Sequence, residues 1–168
     1  MSDGILVVNG EITQVPNGAI VRCVPAGGAT EPAHDPILLA GGEALWVEVQ
    51  RHEPLIEARP VVTLPYRLPA EAVIHVAGPV WRGGGQDEDR RLALTVERVL
   101  VAAVRNRFSR VAFSPIGPGF PADRAAAIAV STVYSALFAA PSIEAVVFVC
   151  PSAALWQIYD DAVNQLLD

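Results

Sequence analysis

A chain of 168 residues with 52% apolar side chains has the length and composition to bury the core of one domain spanning residues 1–168, and it is not a disordered sequence. Its formal charge is -6 and every cation is arginine, which opposes sequence-independent binding to nucleic acid or to an anionic membrane and excludes a lysine Schiff base. The first ten residues, MSDGILVVNG, hold no basic segment and no long apolar run, and no segment approaches the length of a membrane span, so a cytoplasmic protein is expected.

In chain order, strands are expected at Ile5–Val8 and Ala19–Val24, followed by a helix around Pro36–Gln50. Two more strands follow at Val61–Leu64 and Ala72–Gly78. Glu88–Phe108 then reads as an amphipathic helix with Leu92, Val96, Val99, Leu100, Ala103 and Val104 on one stripe. A strand at Arg110–Ser114, a helix at Pro121–Ala139 with proline in its first turn, a strand at Ile143–Val149 and a helix at Ser152–Leu167 capped by Ser152 complete the pattern. Most of the strands are apolar throughout, as a sheet covered on both faces requires. The expected architecture is a three-layer α/β/α sandwich with a mixed, mostly parallel sheet of about six strands. Cys23 and Cys150 both lie in apolar runs and fit reduced, buried thiols better than a disulfide.

Ligands of open α/β sheets bind beyond the carboxyl ends of the strands, which directs attention to Val24–Asp35, Ser114–Pro121 and Cys150–Ser152. Ser114–Pro121 is a Gly/Pro turn into a helix, a place where free backbone N–H groups and the helix dipole favour an anion. Glu31, His34 and Asp35 offer a histidine beside carboxylates, a general base in one reading and a polar surface loop in the other. His75 is expected in the core with backbone partners for its ring nitrogens, and His52 at the surface. Arg22 either supplies charge to a phosphate or forms a buried or edge salt bridge within its strand. Gly83–Gly85 precedes Asp87, Glu88 and Asp89, so it reads as flexible linkage and helix capping rather than a phosphate loop. No three ligands stand at metal spacing and no G-x-S-x-G occurs, so neither a metal, another cofactor nor a serine nucleophile is expected.

The segment YRLPAEAVIHVAGPVWRGGGQDE, Tyr66–Glu88, resembles the central segment of the macro domain family, of the ADP-ribose-binding, Appr-1''-p processing type. Gly10, Glu11, Ile12 and Thr13, followed by Gly18–Val21, are similar to the family's G-D-I-T and D-A-I-V. VAFSPIGPGFPADRAA, Val111–Ala126, is similar to its second phosphate loop and the helix after it. The resemblance spans nearly the whole chain with the elements in order. It implies an adenosine pocket in which Glu11 accepts from the adenine amino group and Ile12 gives a backbone contact. It also implies two loops around a diphosphate, the second containing Ile116, Gly117, Gly119 and Phe120.

Both loops depart from the family pattern. Pro118 stands where a small polar residue is usual and donates nothing, and Asp123 in the following helical turn opposes a second anion. Where the family has N-A-A-N and a Gly-rich run, this chain has Arg22, Cys23, Val24, Pro25 and then residues 26–35, with Pro25 and Pro32 removing further donors. No aromatic ring stands at Cys150 or Pro151 to stack on adenine. The expectation is weak binding of ADP-ribose or a related adenine nucleotide. The alternatives are a ligand-free interaction scaffold, and an enzyme removing ADP-ribose or acetyl groups with His34 or Asp35 activating water; homo-oligomerisation stays open.

Overall fold

Side-chain alternation along the strands decides how the sheet is covered. The computed structural model describes residues 4–28 and 31–166, and Ala29, Thr30 and Leu167, which entered the loop and helix readings above, lie outside the described residues. The elements are β1 (Ile5–Asn9), β2 (Ala19–Pro25), α1 (Pro36–Gly41), α2 (Glu43–Gln50), β3 (Val61–Thr63), β4 (Ala72–Gly78), α3 (Glu88–Arg105), β5 (Arg110–Phe113), α4 (Ala122–Leu137), β6 (Ala145–Cys150) and α5 (Ala153–Gln165). The sheet runs in the order β1-β6-β5-β2-β4-β3, with β3 antiparallel to β4 and the other pairs parallel. This is the expected mixed, mostly parallel sheet between helical layers.

In β2, Ala19 and Val21 face the core shared with α3, α4 and α5, while Ile20 faces the core shared with α1 and α2. In β4, Ile74 and Val76 face the first core and Val73 the second. Parity then puts Arg22 and His75, which are in register with each other, on the α1–α2 face. All seven residues of β4 are buried, so any polar group there needs an internal partner.

Two helices and one residue of the apolar stripe differ from expectation for local reasons. The helix expected over Pro36–Gln50 is two helices broken at Gly42, whose φ of 89° is left-handed. α3 stops at Arg105 rather than Phe108, because Arg107 turns to φ 62° and the Phe108 amide bonds back to Ala103. Val104 is 39% exposed and lies off the buried stripe of α3, which passes through Leu92, Val96, Val99, Leu100 and Ala103. The cap expected at the last helix is present: Ser152 Oγ accepts from Leu155 N at 3.2 Å.

Candidate functional site

The carboxyl ends of β2, β5 and β6 open on a crevice with two lobes. The larger, about 590 Å³, is lined by Glu11, Ile12, Arg22, His34, Asp35 and Pro151 among others. The smaller, about 280 Å³, is lined by Ile116, Gly117, Pro118, Phe120 and Tyr159 among others, and the two lobes share Cys23 and Ser114. The crevice therefore brings together every candidate site residue except Gly119, which is exposed with its Cα side toward Trp81.

Glu11 is exposed at the rim, one residue before a single 3₁₀ turn over Ile12–Gln14, and Ile12 is half-buried beside it. Val149 and Pro151 line the same lobe, and none of its described lining residues is aromatic.

The floor of the larger lobe is an ordered polar chain. Arg22, only 2% exposed, donates from Nε to Asp35 Oδ2 at 2.7 Å. Asp35 Oδ1 accepts from the amides of Ile37 and Leu38, capping α1. Asp35 is thus no surface-loop carboxylate: both of its oxygens are engaged, because a buried arginine and a helix N-terminus each require an anion at that point. Arg22 Nη1 also meets His75 Nδ1 at 3.1 Å, and His75 Nε2 meets Thr63 Oγ1 at 2.9 Å.

These contacts fix the tautomer of His75. Guanidinium can only donate, so Nδ1 is the acceptor and Nε2 carries the proton. Thr63 Oγ1 receives that proton and donates its own to the carbonyl of Leu64 at 3.0 Å. The partners of His75 are consequently side chains, not the backbone groups expected from the sequence; the strand ladder has already consumed the neighbouring amides. Burial, with the adjacent Arg22 charge next, pushes the His75 imidazole down to about 3, so it stays neutral. His34 is exposed at the rim and its carboxylate neighbour Asp35 faces Arg22 instead.

In the second lobe two amides are spent internally. Ile116 N donates to the hydroxyl of Tyr159 at 3.1 Å, Phe120 N donates to Gly117 O, and Pro118 has no N–H. Gly117 adopts φ 95°, and a Cβ there would sit 3.2 Å from Ala125 Cβ, so the tight turn needs glycine. Asp123 Oδ1 takes the Arg124 amide at 2.9 Å. Arg124 does not neutralise Asp123; its Nε donates to Asp89 at 2.8 Å while its guanidinium lies 4.8 Å from the Trp81 ring centroid. Although part of Cys23 faces the crevice, its thiol is pushed up to about 12, chiefly by burial, which makes it a poor nucleophile.

Three features escaped sequence reading. Tyr159, Thr63 and Glu88 are polar groups at or near full burial, and each acts through a partner far along the chain or across a loop. Glu88, 1% exposed, accepts from the amides of Arg82, Gly84 and Gln86 at 2.8, 3.0 and 2.6 Å. The loop Arg82–Gln86, which contains the glycine run, therefore closes on the chain's own Glu88 carboxylate. Its amides, led by that of Arg82, hold the Glu88 carboxyl down to about 2 against the opposing effect of burial. The run of glycines immediately before an acidic first helical turn was the available signal.

A three-layer α/β domain with a nucleotide-sized crevice at the carboxyl ends of its parallel strands defines the general class. Within it, the macro domain model matches residues 35–129, and the chain belongs to the macro domain family. It is 38% identical to a macro domain-containing protein in the gbd 3' region of Cupriavidus necator, over 94% of this chain and 96% of that protein. It is 35% identical to an O-acetyl-ADP-ribose deacetylase of Citrobacter koseri over 98% of both chains. A variant Oceanobacillus iheyensis macrodomain solved with ADPR superposes with a TM-score of 0.86 at 25% identity, covering 96% of this chain and 92% of the other. The same macrodomain with ADP gives 0.82 at 26% identity, over 94% and 88%.

Proposed function

We propose that the crevice binds ADP-ribose or a related adenine nucleotide, and does so weakly for its family. Glu11 and Ile12 take the adenine end, the smaller lobe with Gly117 takes phosphate, and Arg22 acts on the ligand only as the fixed floor of the larger lobe. The observation that carries this reading is the two-lobed crevice at the carboxyl ends of β2, β5 and β6, together with structures of similar fold that hold ADPR and ADP. Weakness follows from the amides already spent: Ile116 bonds Tyr159, and Pro25 and Pro118 donate nothing. The missing aromatic removes a stacking contact worth roughly 1–3 kcal/mol. Titration calorimetry with ADP-ribose, AMP and NAD is expected to give micromolar or weaker binding; a submicromolar constant would contradict this account of the loops. Silence for all three would favour a ligand-free interaction scaffold. Glu11→Ala is expected to erase any preference for AMP over IMP, and a retained preference would take Glu11 out of the site.

A second reading, hydrolysis of an acetyl or ADP-ribosyl ester with water held at His34 or Asp35, is favoured by the relative named O-acetyl-ADP-ribose deacetylase. The engaged oxygens of Asp35 place it second. Release of acetate from O-acetyl-ADP-ribose above the buffer rate would promote it. No helix among the described residues is long and apolar enough to cross a membrane, and we place the protein in the cytoplasm on the strength of its family and composition.

A further inference from the structure

Away from the crevice, α3 and the lead into β3 frame a groove of about 710 Å³ that shares no lining residue with either lobe. Arg59 stands on one wall and Arg98 and Arg105 on the other, all exposed, and no described lining residue is acidic. Among the described residues four arginines, Arg22, Arg90, Arg91 and Arg124, pair with carboxylates, and none of these is in the groove. The groove thus gathers three cations outside those ion pairs, with no acidic lining residue described beside them, in a chain whose net charge is -6. Arg105 also complements the C-terminal end of α3, but Arg98, seven residues earlier, has no such role.

The floor between the cations is aliphatic. Pro60, Val62 and Ala102 line it, and Val101, 43% exposed, projects between Arg98 and Arg105 on the helix. Seven residues of helix separate the two arginines by about 10 Å, the length of roughly three residues of extended chain. β3 beside them is the end strand of the sheet, with one edge unpaired by any other strand among the described residues.

We propose that this groove docks an extended acidic segment of a protein partner, its carboxylates on Arg59, Arg98 and Arg105 and an aliphatic side chain on Val62 and Val101. Nucleic acid is the poorer fit. Three charges neutralise few phosphates, the rest of the molecule repels a dense polyanion, and no described lining residue is an aromatic on which a base could stack. Guanidinium matches a carboxylate bidentately, and the aliphatic floor rewards a side chain that a phosphate chain lacks.

The test is fluorescence anisotropy with a labelled peptide of alternating Glu and Val, against the full chain. Binding is expected, weakening steeply as salt rises from about 0.05 to about 0.3 M. It should fall by about tenfold or more in the double variant Arg98→Glu, Arg105→Glu, while thermal unfolding and any ADP-ribose binding are retained. The neutral pair Arg98→Gln, Arg105→Gln gives an intermediate loss and serves if the reversed variant is destabilised. Absence of peptide binding, equal binding by both variants, or tighter binding of an oligothymidylate or of polyphosphate than of the peptide would each overturn the proposal.

Discussion

The neutrality of His75 makes stability depend on pH in a way that one substitution removes. His75 is held at about 3 in the fold, against an ordinary value of 6.5 in the unfolded chain, chiefly because the ring is buried. Above pH 6.5 both states carry a neutral ring and the group contributes nothing to the pH dependence. Below it the unfolded chain takes up a proton that the folded protein refuses, so stability falls as pH falls, at about 1.4 kcal/mol per pH unit until about pH 3. Between pH 7 and pH 5 the loss integrates to roughly 2 kcal/mol. Glutamine at this position keeps one acceptor for Arg22 and one donor for Thr63 but does not titrate. His75→Gln is expected to cost roughly 1–2 kcal/mol at pH 7 through imperfect packing and to flatten the slope between pH 7 and pH 5. Urea unfolding followed by tryptophan fluorescence, with Trp46, Trp81 and Trp156 as reporters, measures both quantities. His34 and His52 are exposed and present in both proteins, so they cancel in the comparison. Parallel slopes for the two proteins would refute the assigned tautomer chain and the neutral ring.

Two further substitutions probe the same logic elsewhere. Tyr159→Phe leaves the buried Ile116 N–H without its acceptor and is expected to cost about 1–3 kcal/mol in denaturant unfolding; no loss would mean that the amide finds water or another partner. Glu88→Ala strips three amides of their shared acceptor and is expected to lower the melting temperature at pH 7, with Glu88→Gln less harmful. Because the carboxyl is depressed to about 2, its contribution is present above about pH 4.5 and fades as pH falls toward 2, so the gap between wild type and Glu88→Ala should narrow on acidification.

Periodicity alone located the six strands and the long helices, since an apolar run or a helical stripe is a local property and needs no partner to be read. The break at Gly42 was less legible, because a left-handed residue inside two short helical patterns leaves their spacing nearly unchanged. The candidate site was legible in position, at the carboxyl ends of β2, β5 and β6, and legible in composition through the missing asparagines and the prolines. Which groups are already spent was not. Arg22 could be read as a phosphate ligand or as half of an ion pair, and only the approach of Asp35, with the in-register neighbour His75, decided for the pair. Asp35 and Glu88 likewise look solvated in the sequence, yet one caps α1 and the other fills the glycine loop.

The amino-acid sequence by itself determined the layered fold, the end of the sheet at which the crevice opens and the prolines that withhold donors from both loops, because each is written in neighbouring residues. Only tertiary structure decided the tautomer of His75, the capture of the Ile116 amide by Tyr159 and the gathering of Arg59 with Arg98 and Arg105. All three depend on atoms brought together from distant positions; for His75 and Ile116, burial and the need to satisfy every polar group leave one arrangement.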